Sequence, residues 1–152
     1  MVKTAKPIPD GFHAVTPYLV VSGVKRLIEF LEKAFGAEVV ERHTRPDGTV
    51  MHAQVRIADS IVMMGEPWGE NAKQMPAALY LYVKDVDAVF KQALAAGGTS
   101  TDAPADQFYG DRSGGIKDPS GNQWWIATHK EDVSSAELAR RAEAAMKERA
   151  KA

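Results

Sequence analysis

Along the chain, apolar residues recur at two alternating spacings. Residues 15–21 alternate, with Val15, Leu19 and Val21 on one side and Thr16, Tyr18 and Val20 on the other, a strand pattern. Val24, Leu27, Ile28, Leu31 and Phe35 then return at helical spacing, with Ser22 placed to cap the helix and Gly36 to end it. Three strands are expected next, over 38–44, 49–57 and 60–64. Arg45-Pro46-Asp47-Gly48 and Ala58-Asp59 supply the turns between them. Residues 65–74, with Pro67 and two glycines, form the best linker. The lead-in, 1–11, has little periodicity.

The same order then repeats. Leu79, Leu81 and Val83 alternate with Ala78, Tyr80 and Tyr82, and Asp85 can cap a helix holding Val86, Val89, Phe90, Ala93 and Leu94 that ends at Gly97-Gly98. Shorter strands are expected over 100–103 and 114–117, with Gly114-Gly115 as a hairpin turn. Asp118-Pro119-Ser120-Gly121 turns the chain into a last strand over 122–128. One offset aligns both halves: Val83, Val86 and Gly98 each lie 62 positions after Val21, Val24 and Gly36. Two units that each expose an apolar sheet face must pack together to bury it. The pattern therefore predicts an α+β protein of two βαβββ modules, 12–66 and 76–128. A capping box at Ser134 and Glu137 opens a third helix over 132–151, with a thin stripe of Leu138, Ala142 and Met146.

Composition narrows the function classes. Nineteen basic against twenty acidic residues leave a net charge of −1, without the basic surplus of a nucleic-acid partner. No cysteine is present, which removes disulfides, thiolate nucleophiles and Cys-based zinc sites. No signal peptide is visible and no apolar run approaches the roughly 20 residues of a membrane helix, so a cytoplasmic, soluble protein is expected, with no membrane partner. Phosphate loops, nucleophile elbows and His-x-x-x-His helix pairs are also missing.

Specific motifs carry a resemblance. Phe35-Gly36-Ala37-Glu38 follows the first helix, and His52-Ala53-Gln54 leads to Asp59-Ser60. Tyr109-Gly110-Asp111-Arg112 precedes Asp118-Pro119-Ser120-Gly121-Asn122-Gln123-Trp124. Over about residues 12–133 this text resembles the PhnB-like branch of the glyoxalase/bleomycin-resistance (vicinal oxygen chelate) superfamily. The resemblance implies a curved mixed sheet whose concave side holds a ligand, and often a homodimer. Metal-dependent members place His, Gln or Glu at four inward positions. These fall on Thr16, Met63, Ala78 and Trp125, again in pairs 62 apart. None suits a transition metal, which requires imidazole, carboxylate or thiolate donors. Neither metal nor cofactor is expected.

The remaining candidates line the expected cavity. His52 shares a strand face with Gln54 and Arg56; it can act as a general base or as a hydrogen-bonded lining residue. Tyr18, Tyr80 and Tyr82 suit aromatic or oxygenated ligands, or fill a cavity that has lost its metal. Trp125 either stacks a planar ligand or plugs the site. Tyr109 and Arg112 can contact a ligand oxygen, or Asp111 and Arg112 can staple their own loop. His129 and Glu131 are expected at the surface, His13 and His43 lack partners, and Glu66 can reach the cavity mouth. The leading expectation is a metal-independent protein binding a small, partly aromatic molecule. A divalent-metal isomerase, lyase or dioxygenase, and a metal-free enzyme using His52, are the alternatives; a structural dimer with a self-filled cavity is a further one.

Overall fold

The computed structural model describes residues 4–152. The first module runs β1 (Tyr18–Val20), α1 (Val24–Phe35), β2 (Glu38–Thr44), β3 (Val50–Ile57) and β4 (Ser60–Gly65). The second runs β5 (Ala78–Tyr82), α2 (Val86–Ala95), β6 (Thr99–Asp106), β7 (Asp111–Lys117) and β8 (Gln123–His129). Helix α3 (Ser135–Lys151) follows. Each module forms a four-stranded mixed sheet, ordered β1-β4-β3-β2 and β5-β8-β7-β6, with a parallel pair at one edge. The architecture is α+β, two tandem βαβββ modules with an added C-terminal helix.

The offset of 62 reappears as hydrogen-bond register. Tyr18 pairs with Met63, and Tyr80 with Trp125; Leu19 pairs with Met64, and Leu81 with Ile126. The helices sit on the apolar faces. Leu27, Ile28, Phe30 and Leu31 of α1, Ala53, Val55 and Met64 of the first sheet, and Ile116, Trp124 and Ile126 of the second share one buried cluster. The opposite faces hold His52, Gln54, Met63, Tyr80, Tyr82 and Trp125, none of them fully buried. Period-two alternation decides this division, as the strand pattern requires.

Four local expectations change. The first strand is shorter than 15–21, because Thr16 bends back to the His13 carbonyl and Pro17 lacks an N–H for the ladder. Ser22 does not cap α1. Gly23 is the N-cap, and the Glu66 carboxylate accepts from the Gly23 and Val24 amides at 2.8 and 3.1 Å. Gly114-Gly115 is not a turn but the middle of β7, and the hairpin closes at 107–110 instead. A Cβ at Gly114 would stand 2.9 Å from the Phe90 ring, and one at Gly115 would stand 2.5 Å from the Thr101 hydroxyl, so both glycines serve close approach. Finally, Glu137 does not close the capping box with its side chain. Its amide donates to the Ser134 hydroxyl oxygen, while its carboxylate pairs with Arg140 and Arg141.

Candidate functional site

The sequence-predicted residues fall into two groups, one per sheet. On the first sheet, the Tyr18 hydroxyl lies 3.1 Å from His52 Nδ1, and Gln54 Nε2 lies 3.2 Å from His52 Nε2. In the neutral imidazole one of these nitrogens donates and the other accepts. Both ring nitrogens are thus engaged within the chain. A Cβ on Gly65 would stand 3.0 Å from the Tyr18 hydroxyl, so the bare backbone there makes room for this contact. Met63 stands between Tyr18 and Gln54 in the cross-strand row. His43 stacks near His52 and hydrogen-bonds Glu41 at 2.6 Å.

On the second sheet the centre is Asp111, at the start of β7 and 3% exposed. Its Oδ2 accepts from the Tyr80 hydroxyl at 2.8 Å and the Tyr82 hydroxyl at 3.0 Å. Its Oδ1 meets His129 Nδ1 at 2.7 Å, and His129 Nε2 reaches Asp132 at 2.8 Å. Burial works to raise the Asp111 pKa, but the hydrogen bonds from His129, Tyr80 and Tyr82 outweigh it and hold the carboxyl below its usual range. Those to Asp111 and Asp132 raise the His129 pKa in return. Desolvation, then hydrogen bonding with Tyr109 and Asp111, pushes the Tyr80 phenol well above 10. The Asp111 bond, then desolvation, raises Tyr82. Both tyrosines spend their only proton on Asp111, so what they still offer is acceptor lone pairs and ring faces.

Trp125 stands beside this network, between Tyr80 on β5 and Gly115 on β7, and is 37% exposed. It borders a cavity of about 360 Å³ with Tyr109, Gln107, Ser113, Asp102 and Arg149. The neighbouring Trp124 points the other way. It is buried against Phe35, and its indole N–H donates to Asp118 at 2.8 Å.

Several expectations need correction. Arg112 does not face the cavity; it turns to the helix side, where Asp87 takes it bidentately at 3.0 Å and Asp106 at 3.3 Å. It holds α2 to the sheet, and the expected Asp111–Arg112 staple does not form. Tyr18 is on the first sheet, apart from Tyr80 and Tyr82. Thr16 precedes β1, and Ala78 offers the second sheet only a methyl group. His129 is not a bare surface residue but part of the Asp111 network, whereas Glu131 is paired with Arg141. Glu66 caps α1 rather than serving a cavity. The Asp118 turn is structural throughout. Asp118 accepts from the Ser120 and Asn122 amides, the Asn122 side chain and Trp124, and Asn122 Oδ1 accepts the Ala77 amide.

The family-typical metal does not fit these residues. Of Thr16, Met63, Ala78 and Trp125, none carries an imidazole, a carboxylate or a thiolate. Among the described residues no group of three His, Asp or Glu side chains is arranged to hold an ion. A cavity of about 370 Å³ on the helix side, lined by Arg26, Glu29 and Lys33, brings together none of the candidate residues.

Residues 11–126 match the Glyoxalase/Bleomycin resistance protein/Dioxygenase superfamily. The chain belongs to that superfamily. An uncharacterized protein of Mycobacterium tuberculosis is 37% identical over 135 residues, 82% of this chain and 79% of that protein. The PhnB protein from Bacillus cereus, a putative 3-demethylubiquinone-9 3-methyltransferase, shares the fold with a TM-score of 0.62 at 22% identity, covering 76% of this chain and 99% of its own. TnmS3, an antibiotic binding protein from Streptomyces sp. CB03234, also has a TM-score of 0.62, at 21% identity, covering 78% of this chain and 96% of its own. Helix α3 lies beyond the residues that match the superfamily.

Proposed function

We propose that this chain is a metal-independent small-molecule binding protein that holds a partly aromatic ligand against the second sheet. The supporting observation is the Trp125 cavity. An accessible indole borders a space of about 360 Å³, and Tyr80, Tyr82, Asp111 and His129 beside it are already paired with one another. The indole face favours burial of a flat apolar group against it. The likeness to an antibiotic binding protein agrees with this reading. Tyr80, Tyr82 and Tyr109 form the remainder of the binding face, and His52, Gln54, Tyr18 and Met63 a second surface of similar character on the first sheet.

The protein acts as a homodimer in the cytoplasm in this reading. The exposed Tyr18 and Met51, outside the Trp125 cavity, are apolar surface that a second copy would cover.

The test combines two measurements on the purified protein. Elemental analysis should find no stoichiometric transition metal; one metal per chain would overturn metal independence and favour a metal-dependent enzyme. Titration with 2-naphthoate and its methyl ester should quench tryptophan fluorescence, and Trp125→Ala should abolish calorimetric binding of both. Absence of binding by either compound, or binding unchanged in Trp125→Ala, would reject the aromatic-ligand reading.

A further inference from the structure

The reading above names a flat apolar ligand but gives no role to charge. On the second sheet's open face nearly every charged group is committed: Asp111 to the two tyrosines and His129, His129 to Asp132, and Glu131 to Arg141. Two charged side chains bordering the Trp125 cavity are different. Arg149, on the last turns of α3, makes no side-chain hydrogen bond or ion pair among the described residues, and the Asp102 carboxylate has only a 3.4 Å contact from the Thr101 hydroxyl. They line the same cavity yet lie too far apart for an ion pair with each other. Asp102 lies over the bare backbone of Gly115, where a Cβ would stand 3.0 Å from its Oδ2, and Gly115 pairs with Trp125.

We infer that Arg149 is the specificity-determining anion anchor of this cavity. The ligand class is then an aromatic carboxylate carrying an amino or hydroxyl donor, the carboxylate meeting Arg149 and the donor meeting Asp102. A guanidinium offers a fork of N–H donors matched to a carboxylate, and Trp125, lining the same cavity, supplies the stacking wall. The position of the helix supports this assignment. α3 stands against the 107–110 hairpin, where Arg141 donates to the Phe108 carbonyl and pairs with Glu131, and Ala142, Ala145 and Met146 border Phe108. That seat carries Arg149 to the cavity. Because the matched superfamily residues stop at 126 while α3 spans Ser135–Lys151, the anchor is an addition to the shared fold.

This inference rests on the proposed binding function, and its test separates the two. The full chain is titrated calorimetrically with 2-naphthoate, its methyl ester and 3-amino-2-naphthoate. Wild type should prefer the acid to the ester by about ten- to hundredfold, the range for a hydrogen bond to a charged group. Arg149→Gln should erase that preference while leaving ester affinity unchanged, and Arg149→Lys should keep part of it. Asp102→Asn should erase any added preference for the amino acid derivative over plain 2-naphthoate. Equal affinity of wild type for acid and ester, or a preference that survives Arg149→Gln, would overturn the anchor. An unchanged preference for the amino derivative in Asp102→Asn would overturn the donor subsite. Ester binding that is lost in Trp125→Ala would leave the proposed function standing in each of those cases. No binding by any of the three compounds would end both.

Discussion

Asp111 shows how much one residue can organise. A carboxylate this buried is tolerated because three donors surround it, two phenols and an imidazole. Asp111→Asn keeps the shape but removes the charge, and should lower the free energy of unfolding by about 1–3 kcal/mol, measured by urea denaturation. Tyr80→Phe and Tyr82→Phe should each cost about 1 kcal/mol, since a second donor remains. His129 gives a pH signature. Its folded pKa is raised above 6.5, so its contribution is complete below that value and is lost as pH rises through the folded pKa. Asp111 works in the opposite sense: its contribution is present above the usual carboxylate range and is lost as pH falls through its depressed folded pKa. Titration of His129 followed by NMR should show the raised pKa, and Asp132→Asn should bring it back toward 6.5. Little of this network was legible in the sequence. Asp111 and His129 are 18 positions apart, and only the β7–β8 register, which pairs them directly, makes them neighbours. Arg112 was misassigned for the same reason: adjacent strand residues face opposite ways, and a loop at that position would have imposed no such alternation.

At the level of elements, the sequence was a better guide wherever periodicity alone decides. The repeat offset put Met63 and Trp125 at equivalent places, and the parallel edge pairs Tyr18–Met63 and Tyr80–Trp125 keep that equivalence in the register. Asp85 and Ser134 cap their helices as expected, since the donors they satisfy lie within the next turn. Glu66 was expected at the cavity mouth, and its capping role escaped notice because its partners, the Gly23 and Val24 amides, are more than forty residues away in sequence. It closes the first module, fastening the end of β4 to the start of α1. Glu66→Ala should therefore lower stability by about 1 kcal/mol, the usual cost of losing an N-terminal cap, read as a drop in Tm. The midstrand glycines were the hardest to interpret. Gly-Gly is a good turn signal, and only the bulk of Phe90 and Pro104 above Gly114 shows why it lies in a strand here.

For the whole molecule, the proposed self-association has a direct test. Analytical ultracentrifugation should show a dimer at micromolar concentrations, and Tyr18→Glu with Met51→Glu should shift the distribution toward monomer without unfolding the chain. Among the described residues, no helix is long and apolar enough to cross a membrane. The Asp118 turn has a consequence for this architecture as a design platform. The most recognisable stretch of the chain is spent on joining β5 to β8 and on seating Trp124 in the core, away from the face that meets solvent. On the proposed function, recognition and scaffold are thus written in different residues. A library that randomises the positions around Trp125 while leaving the 118–124 turn untouched would change what the protein holds without asking it to fold anew.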